Sequence, residues 1–223
     1  MPSHVTHLES ALDGTPLPAR TIQTTHEERP LWTRYDLDAV RRSVDRDALS
    51  HRPASMWKYA ELLPLEDPAH RISLGEGMTA LLPCPRLGAE LGVPRLLIKD
   101  ESTLPTGSFK ARGMTMAVSM AHELGITRVA IPTAGNAGGA LAAYAARAGM
   151  SCHVFMPEDT PIVNEYEAAL CGARCFRVNG LIHQCGGIVR EGVDRLGWFD
   201  VSTLKEPYRL EGKKTMGLEL AEQ

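Results

Sequence analysis

From residue 109 onward, apolar positions follow two alternating patterns along the chain. Segments with an apolar residue every three or four positions predict helices, at residues 110–124, 137–148, 162–170 and 182–196. Short and nearly continuous apolar runs predict strands between them, at residues 128–131, 152–156, 174–178 and 198–201. A glycine ends each predicted helix, as a left-handed C-cap favours: Gly125, Gly149, Gly172 and Gly197. The alternation predicts an α/β fold in which a parallel sheet is covered by helices on both faces.

Residues 1–71 carry a weaker pattern. Prolines interrupt it repeatedly, at Pro16, Pro18, Pro30, Pro53, Pro64 and Pro68. Short helices are predicted at residues 38–49 and 56–63, and we expect the remainder to be an extended segment that wraps a domain or joins a partner subunit. Beyond it, the apolar run at residues 95–99 predicts one more strand.

Composition narrows the classes of function. The chain of 223 residues is 43% hydrophobic and 23% charged, as soluble globular proteins are. Its net charge of −3, with no run of more than two basic residues, argues against a nucleic-acid partner. We expect no membrane partner and a cytoplasmic location, because the chain lacks a signal-peptide pattern and an apolar run approaching about 20 residues. Five cysteines without a Cys-x-x-Cys pair, and histidines without His-x-x-x-His spacing, predict no metal site.

The stretch Leu-Pro-Thr-Gly-Ser-Phe-Lys-Ala-Arg-Gly at residues 104–113 places one lysine at the start of a helix. Pro105 and Gly107 predict a tight turn before it. Lys110 therefore lies in the first helical turn, where exposed backbone N–H groups carry about half a positive charge and disfavour another cation. A partly buried lysine at such a point loses its proton more readily, and a neutral amine forms a Schiff base with a carbonyl compound. Position alone also leaves open an ordinary solvated lysine.

A second turn, Thr-Ala-Gly-Asn-Ala-Gly-Gly at residues 133–139, follows a predicted strand and opens a predicted helix. Its backbone N–H groups could receive an anion such as the carboxylate of an amino-acid substrate. The glycines are also explained by close packing of helix and strand, but the side-chain amide of Asn136 favours a ligand with a phenolic oxygen. The glycine spacing fails the dinucleotide pattern Gly-x-Gly-x-x-Gly. Glu-Gly-Lys-Lys-Thr at residues 211–215 fails the P-loop pattern, because it lacks the leading glycine.

With both stretches in view, the chain resembles the fold-type-II pyridoxal-phosphate enzymes, and among them the threonine synthase family, from about residue 57 to residue 223. Leu-Gly-Glu-Gly-Met-Thr at residues 74–79 and Glu-Pro-Tyr-Arg-Leu-Glu-Gly-Lys-Lys-Thr at residues 206–215 also look like segments of that family. The resemblance implies a two-domain architecture. It divides the chain into an N-terminal segment with short helices at 1–71, the first part of a large domain at 72–108, a small α/β domain at 109–205, and the start of the remaining large domain at 206–223.

The resemblance also implies roles for single residues. Lys110 corresponds to the lysine that forms the Schiff base with pyridoxal 5'-phosphate, and Ser108 and Asn136 to residues that bind this cofactor, with Asn136 near its 3-hydroxyl oxygen. The substrate carboxylate is assigned to a loop formed by Thr133, Ala134, Gly135 and Ala137. Arg209 is a candidate for binding the phosphate of the substrate.

The implied activity is that of a lyase that converts O-phosphohomoserine and water to threonine and phosphate. Lys110 would serve both as tether and as general base, and the full-length enzyme would be a homodimer. The closest alternative is a threonine or serine dehydratase-like eliminase with the same cofactor.

Two departures from the family limit this interpretation. Residues 1–56 contain no cysteine, so the zinc-binding segment with which some relatives begin is not expected here. The family's glycine-rich loop for the cofactor phosphate follows the segment that corresponds to residues 212–215, and we expect the large domain to be incomplete in a chain that ends at Gln223. We therefore expect the chain by itself to hold the cofactor weakly and to be inactive. A non-catalytic truncated product, or one half of a split protein, is the remaining alternative.

Overall fold

The computed structural model of the protein describes residues 3–223, which begin with a three-stranded antiparallel sheet. Strand β1 (Val5–Ser10) lies between β2 (Pro16–Leu17) and β3 (Leu31–Tyr35). The sequence pattern did not predict this sheet, because β2 has only two residues and prolines interrupt the segment. Leu8 and Leu31 are buried in an apolar cluster that includes Met116 and Met120 from a later helix. Contacts with distant residues therefore help to hold this sheet in place.

The single helix predicted at residues 38–49 is wrong, because the chain forms two helices there. Helix α1 (Leu37–Ser43) ends where Val44 adopts an extended backbone, and α2 (Arg46–Ser50) begins after Asp45, whose side chain accepts the N–H of Asp47. The segment predicted as a helix at residues 56–63 is a 3-10 helix, Met56–Leu62, and a second 3-10 helix spans Pro68–His70.

A short hairpin follows. Strand β4 (Leu81–Pro83), helix α3 (Pro85–Glu90) and strand β5 (Leu97–Lys99) lead into a 3-10 helix at Glu101–Thr103. β4 and β5 pair antiparallel as a separate two-stranded sheet. The strand predicted at residues 95–99 is thus present in its second part, whereas β4 and α3 were not predicted.

The parallel sheet occupies most of the second half of the chain. After α4 (Lys110–Glu123) come β6 (Arg128–Pro132), α5 (Ala137–Arg147), β7 (Ser151–Pro157), α6 (Ile162–Leu170), β8 (Arg174–Val178), α7 (Ile182–Leu196) and β9 (Phe199–Asp200). The strand order is β8-β7-β6-β9, and each pair is parallel. The predicted glycine caps are confirmed, since all four have a positive φ. The predicted α/β fold with a parallel sheet is confirmed.

Alternate residues of the strands face two different cores. Val129, Ile131 and Val154 lie on one face, in a large apolar cluster with residues of α4, α5 and α6. Ala130 and Phe155 lie on the other face, in a smaller cluster with Cys185 and Val189 of α7. Helices therefore cover both faces of the sheet, three on one face and α7 on the other.

The last helix, α8 (Tyr208–Glu222), packs closely across α4. A Cβ on Gly212 would lie only 1.9 Å from the carbonyl oxygen of Arg112, so the approach requires glycine. The Arg112 side chain is fully buried and forms ion pairs of 2.6 Å with Glu219 of α8 and with Glu101. Lys99 pairs with the same Glu219 at 2.9 Å. This charged cluster joins α4, α8 and the hairpin.

Helix α8 also holds the N-terminal region. The hydroxyl of Tyr35 donates to Glu211 at 2.5 Å, across 176 positions of sequence, and the hydroxyl of Tyr59 donates to Glu222 at 2.6 Å. Lys58 forms an ion pair with the same Glu222. No helix within residues 3–223 combines the length and the apolar character that a membrane span requires.

The carboxylate of Glu76 is a second buried polar centre. It has no exposed surface and no ion-pair partner among residues 3–223. It accepts hydrogen bonds of 2.8–3.0 Å from five groups: the indole of Trp57, the hydroxyls of Ser73, Thr115 and Tyr144, and the backbone N–H of Leu74. These bonds connect the first 3-10 helix with α4 and α5. Each of these two helices begins directly after one of the two turns predicted to form the site.

Candidate active site

A cavity of about 320 Å³ lies where α4 and α5 begin, at the carboxyl edge of the parallel sheet. Its lining unites both turns singled out in the sequence: Ser108, Phe109, Lys110, Thr133, Ala134, Gly135, Asn136 and Ala137. Ligands of parallel α/β folds bind at this edge, beyond the carboxyl ends of the strands. The structure thus brings together seven of the eight residues predicted for the site, and their individual roles stay predictions.

Lys110 is the first residue of α4, and its amine lies in a partly apolar setting. The Nζ atom is 3.7 Å from the centre of the Phe109 ring. Burial, and after it the positive charge of Arg209, lowers the pKa of Lys110 below its ordinary value. Ser108 contributes its hydroxyl as acceptor for the Lys110 backbone N–H at 3.4 Å. A larger fraction of neutral amine, the nucleophilic form, follows from this environment.

The turn before α5 presents unbonded backbone donors to the cavity. Thr133 fixes the turn, because its hydroxyl donates to the carbonyl of Gly135 at 3.0 Å and accepts the Gly135 N–H at 3.2 Å. The N–H groups of Ala134, Asn136 and Ala137 have no acceptor within residues 3–223. Together with the start of a helix, such donors form a site for an anion.

Gly138 and Asn136 have different roles in this turn. A Cβ on Gly138 would lie 2.7 Å from the Thr133 side chain and 3.0 Å from Val154, so only glycine allows α5 to begin this close to the sheet. Asn136 occupies the N-cap position without a side-chain cap hydrogen bond. Its amide is therefore free to bind a ligand, whereas Gly138 has a packing role.

Arg209 is the one predicted site residue that does not line the cavity. It is 3% exposed and lies behind the cavity on α8, where its guanidinium donates to the carbonyl of Val201 at 2.6 Å. Its Nε is buried without a hydrogen-bond partner among residues 3–223. Burial lowers the pKa of Arg209. In this arrangement Arg209 acts on the site through its charge near Lys110.

Lys213 is a site neighbour that sequence reasoning missed. Its Nζ lies 5.6 Å from the centre of the Phe109 ring, against which Lys110 also lies. Burial lowers the pKa of Lys213, and the charges of Arg209 and Lys110 lower it further. The signal was present in the Gly-Lys-Lys-Thr segment, since Arg209 and Lys213 stand four positions apart and share one face of a helix. Recognising it required knowing that α8 crosses α4 beside Lys110.

Glu206 is an acidic residue whose charge acts on Arg209 and Lys213. It is buried, and its carboxyl accepts the N–H groups of Tyr208 and Arg209 at 2.8 and 2.9 Å, at the start of α8. Burial raises the pKa of Glu206 to about 7. Since this side chain is engaged with the backbone, three cations, Lys110, Arg209 and Lys213, dominate the charge beside the cavity.

The chain is similar to known proteins in both sequence and structure. Two threonine synthases, from Methanocaldococcus jannaschii and Methanosarcina acetivorans, are 36% and 37% identical over 190 residues. The alignments cover 85% of this chain and 47% and 46% of those proteins, so the chain spans about half the length of these curated relatives. The structure of maize serine racemase matches with a TM-score of 0.64 at 21% identity, covering 77% of this chain and 50% of that one.

The racemase likeness concerns the fold, and it confirms the predicted fold-type-II architecture. The family model for pyridoxal-phosphate dependent enzymes matches residues 72–223, which is most of the chain and includes the whole cavity described above. The predicted resemblance and the predicted cofactor, pyridoxal phosphate, are thereby confirmed at the level of the family. The chain belongs to the family of pyridoxal-phosphate dependent enzymes.

Proposed function

We propose that this chain carries the lysine-bearing part of a lyase of the threonine synthase type, which converts O-phosphohomoserine and water to threonine and phosphate. The observation that carries the proposal is the pair of cations, Arg209 and Lys213, beside Lys110 and a cavity whose lining contains no acidic side chain. A phosphorylated amino acid brings more negative charge than threonine or serine. Such a basic surrounding therefore favours the phosphorylated substrate over that of a dehydratase.

The residues of the cavity fit pyridoxal phosphate. An accessible lysine of lowered pKa supports a covalent bond at Nζ of Lys110, and the unbonded amide of Asn136 supports a hydrogen bond to the phenolic oxygen. When bound, this cofactor supplies a ring that withdraws electrons from the substrate carbon next to the amino group. The protein contributes position and charge, and those contributions can be assigned to residues.

The turn before α5 would hold the substrate carboxylate. Its free donors on Ala134, Asn136 and Ala137 point to an anion, and the hydrogen bonds of Thr133 keep the turn in one conformation. Charge-assisted hydrogen bonds of this kind contribute about 1.5–3 kcal/mol each. Fixing the carboxylate would also fix the orientation of the substrate relative to Lys110.

Lys110 would move the proton at the substrate Cα. A general base is most effective when its pKa lies near the working pH, and burial together with the Arg209 charge shifts the pKa of Lys110 in that direction. The ammonium of Lys213, which lies against the same Phe109 ring, would attract the substrate phosphate. Arg209 is anchored to Val201 and would provide a fixed positive charge behind both groups.

The test compares ligand classes on the chain after addition of pyridoxal phosphate. We expect O-phosphohomoserine to change the visible absorbance of the bound cofactor at concentrations at least tenfold lower than threonine or serine do. Lys213→Gln should remove most of that difference, and the control Lys205→Gln should keep it. Equal responses to phosphorylated and unphosphorylated ligands would favour the dehydratase-like alternative.

Turnover is measured in the same preparation. Phosphate release and threonine formation from O-phosphohomoserine are compared with those of Lys110→Ala. The chain spans about half the length of the threonine synthases it matches, and we propose that by itself it releases no phosphate above that variant. Release that depends on Lys110 would prove this expectation wrong and would establish the reaction directly.

A further inference from the structure

The amino edge of the parallel sheet, opposite to Lys110 and Asn136, carries a second cavity that the proposed reaction does not use. Its volume is about 590 Å³, larger than that of the cavity at Lys110. The first residues of three neighbouring strands, Arg128, Ser151 and Arg174, form one side of it. All three belong to the sheet face that α7 covers incompletely.

Aromatic rings form the floor of this cavity. The imidazole of His153 stacks on the indole of Trp198, with ring centres 4.7 Å apart and planes 27° apart. Phe155 stacks on Phe176 at 4.9 Å and 13°. The Phe176 side chain remains 43% exposed, so one ring face is open to a ligand. Gly192 of α7 keeps Trp198 in place, since an added Cβ there would lie 2.0 Å from the indole.

The polar groups of the cavity lack acidic partners. No aspartate or glutamate belongs to its lining. Arg128 donates to the carbonyl of Leu196 at 3.2 Å, and the exposed guanidinium of Arg174 has no hydrogen bond or ion pair within residues 3–223. His153 is 8% exposed, so its imidazole belongs to the floor, stacked on Trp198, and leaves the two arginines as the charged groups open to a ligand.

We infer that this cavity binds a small molecule that combines a planar aromatic ring with an anionic group, of the class of the purine nucleoside monophosphates. The ring would stack on the open face of Phe176, as bases stack on aromatic side chains. The phosphate would lie between Arg128 and Arg174, because the guanidinium fork matches its oxygens and no carboxylate competes for it. The cavity volume falls within the usual range for such ligands, roughly 300–1,000 Å³.

The experiment is a calorimetric titration of the purified chain with adenosine 5'-monophosphate, adenosine and inorganic phosphate. We expect saturable binding of the monophosphate, and binding at least tenfold weaker for each of the other two, because each supplies only one of the two contacts. Arg174→Gln should weaken binding of the monophosphate at least tenfold, and Arg128→Gln provides a second variant of the same kind. The control Arg147→Gln removes an exposed arginine at the end of α5, on the other face of the sheet, and should change nothing.

Several results would overturn the inference. The first is the absence of saturable binding of the monophosphate. The second is an equal affinity for the monophosphate and inorganic phosphate. The third is an equal loss of affinity for the monophosphate in Arg147→Gln and Arg174→Gln. Self-association that Arg174→Gln abolishes, without any nucleotide binding, would assign the face to a second copy of the chain instead. Lys110→Ala should leave the titration unchanged, so failure of the proposed reaction and failure of this site can be distinguished.

Discussion

Helix α4 has two unlike faces, and they fix the candidate site in different ways. Toward the sheet it buries apolar side chains at helical spacing: Met114, Ala117, Val118 and Ala121. Toward α8 and residue Ile72 it buries polar ones: Arg112, Thr115 and Ser119. Apolar contacts are non-directional and place the helix on the sheet. The charged and hydrogen-bonded contacts are directional, and they determine which segments meet beside Lys110.

The largest effect is expected at the charged face. Arg112→Met removes the partner of two carboxylates, Glu219 and Glu101, of which Glu219 is fully buried. Glu219 keeps Lys99 as an ion-pair partner, but Glu101 loses its only one within residues 3–223, and breaking such a buried pair costs about 3–5 kcal/mol. We expect a loss of this size in the free energy of unfolding, measured by urea denaturation.

A second variant separates the charge from the packing. In Arg112→Met with Glu101→Gln, the carboxylate that has no other ion-pair partner within residues 3–223 is neutral, and we expect part of the lost stability to return. If Arg112→Met alone lost less than about 1 kcal/mol, the pairs would resemble exposed salt bridges, and the directional role of this face would be refuted.

The next effect depends on pH and concerns Glu206, at the start of α8. Its folded-state pKa of about 7 lies above the ordinary value of 4.5, so the folded chain binds this proton more tightly than the unfolded chain does. The corresponding stability is complete below pH 4.5 and is lost as the pH rises to about 7. Since one pKa unit corresponds to roughly 1.4 kcal/mol, the whole change is on the order of 3 kcal/mol.

Glu206→Gln should remove this contribution, because glutamine stays neutral; it keeps an oxygen for only one of the two N–H groups, of Tyr208 and Arg209, and this further loss does not depend on pH. The measurement is the urea midpoint of both proteins between pH 4.5 and 8. Leu141→Ala, a variant of the apolar core on the sheet side of α4, should lose stability equally at every pH. A parallel pH dependence of wild type and Glu206→Gln would show that Glu206 titrates normally.

The third prediction compares the effects on stability of alanine substitutions at two glycines of α8. Gly212→Ala places a methyl group 1.9 Å from the Arg112 carbonyl oxygen and should cost about 1–3 kcal/mol, because α4 and α8 must separate. Gly217→Ala has no neighbouring atom within 4 Å and should stabilise the helix by roughly 0.5–1 kcal/mol. Thermal unfolding of both variants checks the opposite signs. If both substitutions changed the stability in the same direction, α8 would not pack on α4 through Gly212.

The smallest loss of stability is expected at the buried carboxylate of Glu76. Tyr144→Phe removes one of its five donors, a hydroxyl at 2.8 Å, and four remain. We expect a loss of about 1.5 kcal/mol in the free energy of unfolding, within the range for a hydrogen bond to a charged group. Tyr166→Phe, whose ring is 59% exposed, is the matched control and should be neutral. A neutral result for both would show that the remaining donors satisfy Glu76.

The two faces of α4 also differ in how far they could be predicted from the sequence. The sheet side depends on local patterns, and the side toward α8 depends on contacts between distant residues. The parallel sheet was predictable because its strands and helices alternate locally, and Lys110 and Asn136 were found because each stands in a recognisable turn. The Arg112–Glu219 pair joins residues 107 positions apart, and no local pattern marks it. Lys213 was missed for the same reason, since its place beside Phe109 exists only after α8 has crossed α4. The N-terminal sheet was missed because packing on Met116 and Met120 supports its short strands.

The hydrogen bond between Tyr35 and Glu211 has a consequence for how the chain matures during synthesis. The N-terminal sheet leaves the ribosome before its partner on α8, which is made 176 positions later. Until then Leu8 and Leu31 have no completed surface to cover them, whereas the parallel sheet assembles from contacts between neighbouring elements. The N-terminal sheet thus docks later than the parallel sheet assembles, and until then Leu8 and Leu31 remain available to any factor that binds apolar segments.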